Sequence, residues 1–271
     1  MAGFATWTDL QAALDAQTLL YRYFRKTWAS PGNNQFGSAW TVAGYPAAGA
    51  NPAGTPGTSY SNDAGGICFP DTSPVRKFIV GCTYQQDLNN NAAAVMWLVD
   101  RLVGVSGISL ASTGDKTVSS VALPRYTDGI GVLAFLEVTT ATTVTAPVVS
   151  INSYTDQDGN TAQAGATITF PAAATPIGTC VGPFPLAAGD TGMKAVATVN
   201  VATAATVGVA NLILVKPLLC IGANPPGPFE RLSPIPFGDM PRVFDGAVLM
   251  PLLRQFGGGA SGIVEVTTVL G

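Results

Sequence analysis

Carboxylates are the residues of this sequence that best fit acid–base chemistry, because the 271 residues include no histidine. This composition excludes Ser-His and Cys-His nucleophile pairs as well as histidine-ligated zinc and haem. Two carboxylates that flank a glycosidic bond can act without histidine. Glu137 is the unusual acid, since it lies in an apolar run. A strand-edge position or a buried partner such as Arg125 or Lys216 is the more common role for such a residue, so we predict no catalytic function for it.

Three other local patterns favour structural roles over chemical ones. Asp100 and Arg101 interrupt an apolar run and are interpreted as a helix-surface pair or an internal salt bridge. Residues 156–159 (DQDG) resemble half of a calcium loop, but an Asp-Gly pair is typical of a hairpin turn. Residues 129–134 formally match G-x-G-x-x-A, yet they begin a predicted strand rather than joining a strand to a helix. We therefore predict no enzyme, no metal site and no cofactor.

Charge and hydropathy narrow the possible partners. Only 11% of the residues are charged, against about 25% in an ordinary soluble domain, and the formal net charge is −3. Binding to a nucleic-acid backbone requires clustered Lys and Arg, so we expect no nucleic-acid partner. No run of about 18 apolar residues is present, so we expect no membrane span.

The four cysteines are interpreted as buried thiols, since no C-x-x-C motif suggests a zinc or redox site. A disulfide framework is the alternative, with three possible connectivities. The first residues, MAGF, lack the layout of a signal peptide, so we expect cytosolic synthesis.

The N-terminal region predicts an amphipathic helix over residues 8–28. Thr8 and Gln11 have the spacing of a capping box, and Pro31-Gly32 follows the pattern as a stop signal. Apolar and aromatic residues recur every three or four positions. They are Leu10, Ala13, Leu14, Leu20, Tyr21, Phe24 and Trp28, and the polar Gln17 falls at the same spacing.

Two stretches are predicted to be extended arms. Residues 30–74 are rich in Gly, Pro, Ala, Asn, Ser and Thr without a sustained period, and loops of this length are uncommon in compact domains. They also contain aromatic residues, which disordered linkers usually lack. Residues 217–241 contain seven prolines, which argues against a helix or a sheet interior. We expect both arms to order against other subunits.

The middle of the chain predicts an antiparallel β domain. Segments rich in Val, Thr, Ile and Ala alternate with turn residues at spacings typical of sandwiches or barrels. The candidate strands are 118–123, 131–139, 144–154, 161–170, 193–203 and 207–215, with further strands at 77–80 and 263–270. Residues 131–138 are apolar on both faces and predict a central strand. Residues 91–102 fit either a strand or a short helix, with a slight preference for the helix.

The predicted fold class is thus mainly β: an antiparallel sandwich or barrel-like domain with an N-terminal amphipathic helix and extended Pro/Gly-rich arms. The predicted division is a helix at 1–29, an arm and mixed connecting region at 30–117, the β domain at 118–217, and a proline-rich arm with a terminal strand at 218–271.

Three passages resemble structural proteins of tailed-bacteriophage virions. They are residues 123–139 (LPRYTDGIGVLAFLEVT), 153–159 (SYTDQDG) and 184–194 (FPLAAGDTGMK). These are hairpin and strand patterns rather than a catalytic fingerprint. Family passages carry Gly-Arg after the hairpin, where this chain has AQA at 162–164, which leaves the subtype open.

The resemblance implies a non-enzymatic virion component, a cement or decoration protein of the capsid surface that bridges neighbouring subunits of the icosahedral head. The implied partners are the major capsid protein and other copies of the chain, with a trimer favoured. A tail or baseplate component and a carbohydrate-binding fibre module are the alternatives. We assign aromatic and apolar residues of the helix and arms to the interface: Leu14, Tyr21, Phe24, Trp28, Phe36, Trp40, Tyr45, Tyr60, Phe229 and Phe237.

Overall fold

The computed structural model describes residues 7–15, 19–28, 35–86, 93–172, 174–223, 229–232, 240–255 and 260–270. These residues form one helix and three antiparallel sheets, so the predicted mainly β class is confirmed. The helix α1 spans Trp7–Asp15. The strands are β1 Leu19–Trp28, β2 Phe36–Ser38, β3 Gly44–Tyr45, β4 Thr58–Ser59, β5 Lys77–Gln86, β6 Ala94–Ser109, β7 Gly114–Thr117, β8 Leu133–Thr143, β9 Val148–Asp156, β10 Ile168–Thr169, β11 Thr179–Val181, β12 Met193–Thr203, β13 Val207–Ala223, β14 Phe229–Leu232, β15 Arg242–Val243, β16 Leu249–Gln255 and β17 Ala260–Leu270.

The largest sheet closes into a six-stranded barrel. Its strands follow the order β13-β8-β11-β2-β16-β6, and β6 pairs again with β13. All six strands contribute apolar side chains to one buried cluster, which therefore fills the barrel interior. The alternation of side chains along β6 and β8 places Arg101 and Glu137 on the same inward-facing side as Val99 and Phe135.

The two other sheets cover the outside of the barrel. The β12 sheet, ordered β10-β9-β12-β7, shares a core cluster with the outward-facing residues of β6, β8 and β13. The β1 sheet, ordered β14-β5-β17-β1-β3 with β15 beside β5, shares another cluster with β6 and β16. Because apolar layers cover both faces of β8, the prediction of a central strand is confirmed: residues 134–138 are all buried.

The predicted N-terminal helix over residues 8–28 is wrong for residues 19–28. Residues 19–28 form β1, which pairs along its whole length with β17, from Leu19 opposite Val269 to Trp28 opposite Ala260. Leu20 and Phe24 lie four residues apart, a spacing that fits a helix face and an alternating strand equally well. The aromatic content of LLYRYFRKTW favours the strand. In α1, Leu10 packs against Phe78, Val80 and Val269.

The prediction of an arm over residues 30–74 is wrong for residues 35–74, which pack within the chain. They contribute β2 to the barrel and place Trp40 and Tyr60 in its core. Ile67 and Phe69 are buried beneath the β1 sheet. Phe36, Trp40, Tyr60 and Phe69 of this segment are therefore buried within the chain itself, whereas Tyr45 stays exposed.

The second predicted arm is also partly strand. Pro217 lies within β13, beside a register shift between Pro217 and Leu219. Among the described strands β13 pairs only with β6 at this point, so Pro217 lies on a sheet edge, where proline is tolerated. Residues 229–232 form β14 and pair with β5. Residues 224–228 and 233–239 of this segment lie outside the described residues.

Strand prediction was most accurate at β12 and β17 and least accurate where loops carry strand-like composition. Residues 193–203 coincide with β12, and residues 263–270 lie within β17. The slight preference for a helix at 91–102 is wrong, because residues 94–109 form β6. Residues 118–123 are not a strand, and only Ile168–Thr169 of 161–170 pairs as one.

Candidate interaction surface

The exposed face of β1 is the most unusual surface of the described structure. Side chains alternate along this strand, so one face contacts the core and the other contacts solvent. The solvent face presents Leu19, Tyr21 and Tyr23, which are 44%, 49% and 41% exposed, and Tyr45 of β3 adjoins them at 49%. Scattered single apolar residues are normal on a surface, but a contiguous set of this kind marks an interaction site.

Two contacts fix the geometry of this face. The rings of Tyr23 and Tyr45 stack with centroids 4.3 Å apart and an interplanar angle of 22°. Tyr21 donates a hydrogen bond to Glu265 of β17, and partial burial together with this bond raises the pKa of Tyr21 to about 12. The aromatic side chains are therefore held in place before any partner arrives, which lowers the entropy cost of binding.

Open clefts lie on both sides of the tyrosine pair. One, of about 460 Å³, is lined by Tyr23, Tyr45, Arg25 and Thr27 among others. The other, of about 270 Å³, lies between β1 and residues 62–68. The combination of aromatic rings with arginine is typical of protein interfaces.

Lys26 anchors β1 to the segment that follows the barrel strand β2. Its side chain is buried, and Nζ donates to the carbonyl oxygens of Ala39, Trp40, Ala47 and Gly65 at 2.9–3.3 Å. Burial lowers the pKa of Lys26 to about 8, against a weaker opposing effect from Asp63. One ammonium group thus ties four points of residues 39–65 to the β1 sheet.

The predicted interface residues divide between surface and core. Tyr21 and Tyr45 lie on the exposed face, whereas Phe24, Phe36, Trp40 and Tyr60 are almost fully buried, so their assignment to an intersubunit surface is not supported by their positions. The side chains of Leu14, Trp28 and Phe229, and Phe237 as a whole, lie outside the described residues. Sequence reasoning missed Leu19 and Tyr23, although the alternation along β1 would have shown both.

The unusual acid Glu137 is held by an arginine inside the barrel. Its Oε2 accepts a hydrogen bond from Arg101 Nη2 at 3.0 Å, and its Oε1 accepts one from Arg101 Nη1 at 3.3 Å. The guanidinium group also lies 4.3 Å from the ring centroid of Trp40 and 4.9 Å from that of Tyr60. Burial by itself lowers the pKa of Arg101, but the interactions with Glu137 and Tyr60 outweigh this effect and raise the pKa above its usual value. A buried partner was predicted correctly, but it is neither Arg125 nor Lys216.

Arg125 forms the second buried ion pair, with Asp100. Its Nη2 and Nε donate to the Asp100 carboxylate at 2.7 and 2.9 Å, and Nη1 donates to the Tyr60 carbonyl at 2.9 Å. Burial raises the pKa of Asp100, and the hydrogen bonds from Arg125 and from the Val248 N–H oppose this effect. Asp100 and Arg101 are thus not a pair with each other: each joins a different partner on a different side of β6.

The remaining motifs have structural explanations. The Asp156 carboxylate accepts from the backbone N–H groups of Asp158 and Asn160 at 2.8 Å, so it closes its own turn as predicted. Across the described ranges no group of three His, Cys, Asp or Glu residues could hold a metal ion. In those same ranges no helix has the length and apolar character of a membrane span.

All four cysteines are free thiols. Cys82 and Cys180 are buried as predicted, and burial raises the pKa of Cys82 to about 12. The prediction of buried thiols is wrong for Cys220, which is exposed, and holds only partly for Cys68, which is half-buried.

Comparisons with protein-family models, with curated proteins and with solved structures found no match to this chain. We therefore describe the chain from its own structure: a closed barrel flanked by two sheets, one of which carries an exposed tyrosine face.

Proposed function

We propose that this chain is a non-enzymatic structural protein of a tailed-bacteriophage virion, which stabilises the icosahedral head by bridging neighbouring capsid subunits as a cement or decoration protein. Its partners are the major capsid protein and other copies of itself, and its place is the capsid surface. The observation that carries this proposal is the contiguous exposed face of Leu19, Tyr21, Tyr23 and Tyr45. Tyrosine is enriched in interface cores, and such a face gains stability when a partner covers it.

The rest of the molecule supports an adhesive role. The low charged fraction leaves a surface with few ionic groups, and the buried acids Asp100 and Glu137 are paired with arginines. The three passages that resemble virion structural proteins are consistent with this role. They include the turn at Asp156, whose carboxylate stabilises a hairpin.

The proposal does not depend on extended arms. Residues 35–74 were expected to wrap around neighbouring subunits, but they are packed inside their own chain. Bridging is therefore assigned to a rigid surface, the exposed face of β1, and many weak contacts of this kind across a symmetric shell add up to strong attachment.

The composition and structure of purified virions test the proposal. We expect the chain to co-purify with the major capsid protein, and a particle reconstruction to show it over the joints between capsid subunits. Particles that lack the chain should release their genome at a lower temperature. Absence of the chain from particles would contradict the proposal, and density confined to the tail would support a tail or baseplate component instead.

A carbohydrate-binding function is the second candidate, favoured by the Tyr23–Tyr45 stack beside the cleft of about 460 Å³. Aromatic faces next to polar groups suit sugar rings. A glycan array with the wild-type chain and the Tyr45→Ala variant tests it. Binding that the variant loses would favour this function. Absence of binding to any glycan would leave the adhesive role as the remaining candidate.

A further inference from the structure

The described structure leaves a long strand edge open on β1. Along one edge β1 pairs fully with β17, but along the other it pairs only at Arg25 and Lys26, with β3. Residues 19–23 have no strand on that side within the described ranges. Most other sheet edges end in strands of two to four residues, such as β4, β7 and β10, which is how natural proteins limit unwanted strand pairing.

A second open edge, on β13, carries features that protect it from pairing with another strand. Residues 216–223 also lack a partner on one side among the described strands. That edge contains Pro217 and a register shift, two features that hinder strand addition. The open run of β1 contains no proline and no register shift. Of these two open edges in the described structure, the β1 edge is therefore the one that is competent for pairing.

A groove runs beside this open edge. The cleft of about 270 Å³ is lined by Arg22 and Tyr23 on the β1 side and by Ile67 and Cys68 on the facing side. Arg22 Nη1 donates to the Tyr21 carbonyl at 2.9 Å, so the guanidinium group lies close to the β1 backbone, and an incoming strand that pairs with this carbonyl would replace that contact. An incoming strand would lie in this groove next to the tyrosine face.

The charge of β1 indicates which segment would fit. The strand LLYRYFRKTW carries Arg22, Arg25 and Lys26 and no acid, although the whole chain has a net charge of −3. A second copy of β1 in antiparallel pairing would bring Arg22 opposite or diagonal to Arg22 of that copy, and like charges at these positions are destabilising. An acidic strand would instead meet Arg22, whose guanidinium group forms strong charge-assisted hydrogen bonds with carboxylates.

We propose that the open edge of β1 receives an extended acidic segment of a partner protein, which adds to the β1 sheet as a further strand. Main-chain hydrogen bonds hold the segment in register, Arg22 selects acidic side chains on one face of the segment, and Tyr21 and Tyr23 contact the side chains on its other face. This inference rests on the proposed virion function and names the chemistry of the contact.

A synthetic peptide in which glutamate alternates with valine is the probe, and a peptide with lysine in place of glutamate is its control. We expect the acidic peptide to bind the purified chain. We also expect it to slow hydrogen exchange about tenfold at those amides of residues 19–23 that do not bond to β17. The lysine peptide should do neither. Binding without protection of β1, or no binding, would overturn the inference, and this measurement needs no variant.

Charge reversal gives an independent test. Arg22→Glu should weaken binding of the acidic peptide about tenfold or more, because charge-assisted hydrogen bonds are lost and like charges approach. Lys116→Glu on β7 makes the same change of charge on another sheet and should leave binding unchanged. Equal affinities for the two variants would count against the edge as the site.

Binding to virion shells separates this inference from the proposed function. If the wild-type chain and Arg22→Glu bind shells equally well, the function stands and the edge contact is wrong. If the wild-type chain does not bind shells yet captures the acidic peptide at β1, the edge contact stands and the virion function is wrong.

Discussion

Arg101 and Glu137 show how two charges are accommodated inside a small barrel. Neither side chain reaches solvent, and their two hydrogen bonds and the rings of Trp40 and Tyr60 replace the water that each charge loses. Such a pair contributes little net stability, but removing one member leaves an uncompensated buried charge. Arg101 Nε has no hydrogen-bond partner in the described structure, which makes the arginine especially dependent on Glu137.

The Glu137→Leu variant should therefore be strongly destabilised. We expect a loss of about 3–5 kcal/mol in the free energy of unfolding, measured by urea denaturation, because the Arg101 charge would remain buried without a counterion. The double variant Arg101→Met with Glu137→Leu should recover much of this loss. A double variant as unstable as the single one would show that the charge itself is not the cause.

Lys26 predicts a pH dependence of stability. Burial lowers its pKa from 10.5 to about 8 in the folded chain, so between these values the unfolded chain binds more protons at this position. Stability then rises with pH, and the penalty for burying the charge is fully present below about pH 8. Compared with Lys26→Met, the wild-type chain should gain about 1–2 kcal/mol of unfolding free energy between pH 7.5 and 9.5. Parallel pH profiles for the two chains would contradict the lowered pKa.

At the level of elements, β1 illustrates why local spacing was misleading. Aromatic residues at every second and every fourth position satisfy both periods, so residues 19–28 could not be assigned from their own sequence. Pairing with β17, some 240 positions away in the chain, decides for the strand. Tertiary pairing of this kind routinely overrides local preference.

The short strand β3 depends on a glycine for its close approach to β1. Gly44 has a φ of +150°, and a Cβ at this position would lie 2.6 Å from the Arg25 carbonyl oxygen. Gly44→Ala should destabilise the chain by about 1–3 kcal/mol and displace Tyr45 from its stack with Tyr23. Gly54→Ala is the matched control, since nothing lies within 4 Å of its added Cβ. Thermal unfolding of both variants checks the difference, and equal midpoints would contradict it.

At the scale of the whole molecule, a closed barrel joins two outer sheets into one body. Each outer sheet buries one face against barrel strands, so the free surfaces that matter for association are the opposite faces. On the β1 sheet this free surface carries the tyrosines. A rigid body of this kind can bind several neighbours without ordering long segments, which lowers the entropy cost of assembly.

The triple variant Tyr21→Ser, Tyr23→Ser and Tyr45→Ser should retain the fold and lose shell binding. We expect affinity for virion shells in a co-sedimentation assay to fall roughly tenfold for each central tyrosine, which is typical of aromatic interface residues. Unfolding should change little, because these side chains are exposed. Val144→Ser with Val207→Ser removes exposed apolar groups elsewhere and should bind normally. Equal losses in both variants would show that general hydrophobicity, not this face, is responsible.

Features that depend on neighbouring residues could be predicted from the sequence. The composition of residues 193–203, rich in Val, Thr and Ala, indicated β12, the apolar run at 131–138 indicated a strand covered on both faces, and the Asp-Gly pair at 158–159 indicated a turn. The exclusion of histidine-dependent sites also followed directly from the sequence, because the chain contains no histidine. Each of these follows from local period or composition.

Contacts between residues that are far apart in the chain could be identified only from the folded structure. It made Arg101 the partner of Glu137, closed the barrel through β13 and β6, buried Trp40 and Tyr60, and brought Tyr23 beside Tyr45 on a free face. The physical reason is that these contacts join segments far apart in sequence. Their stability comes from burial and pairing in the folded state, which no local pattern records.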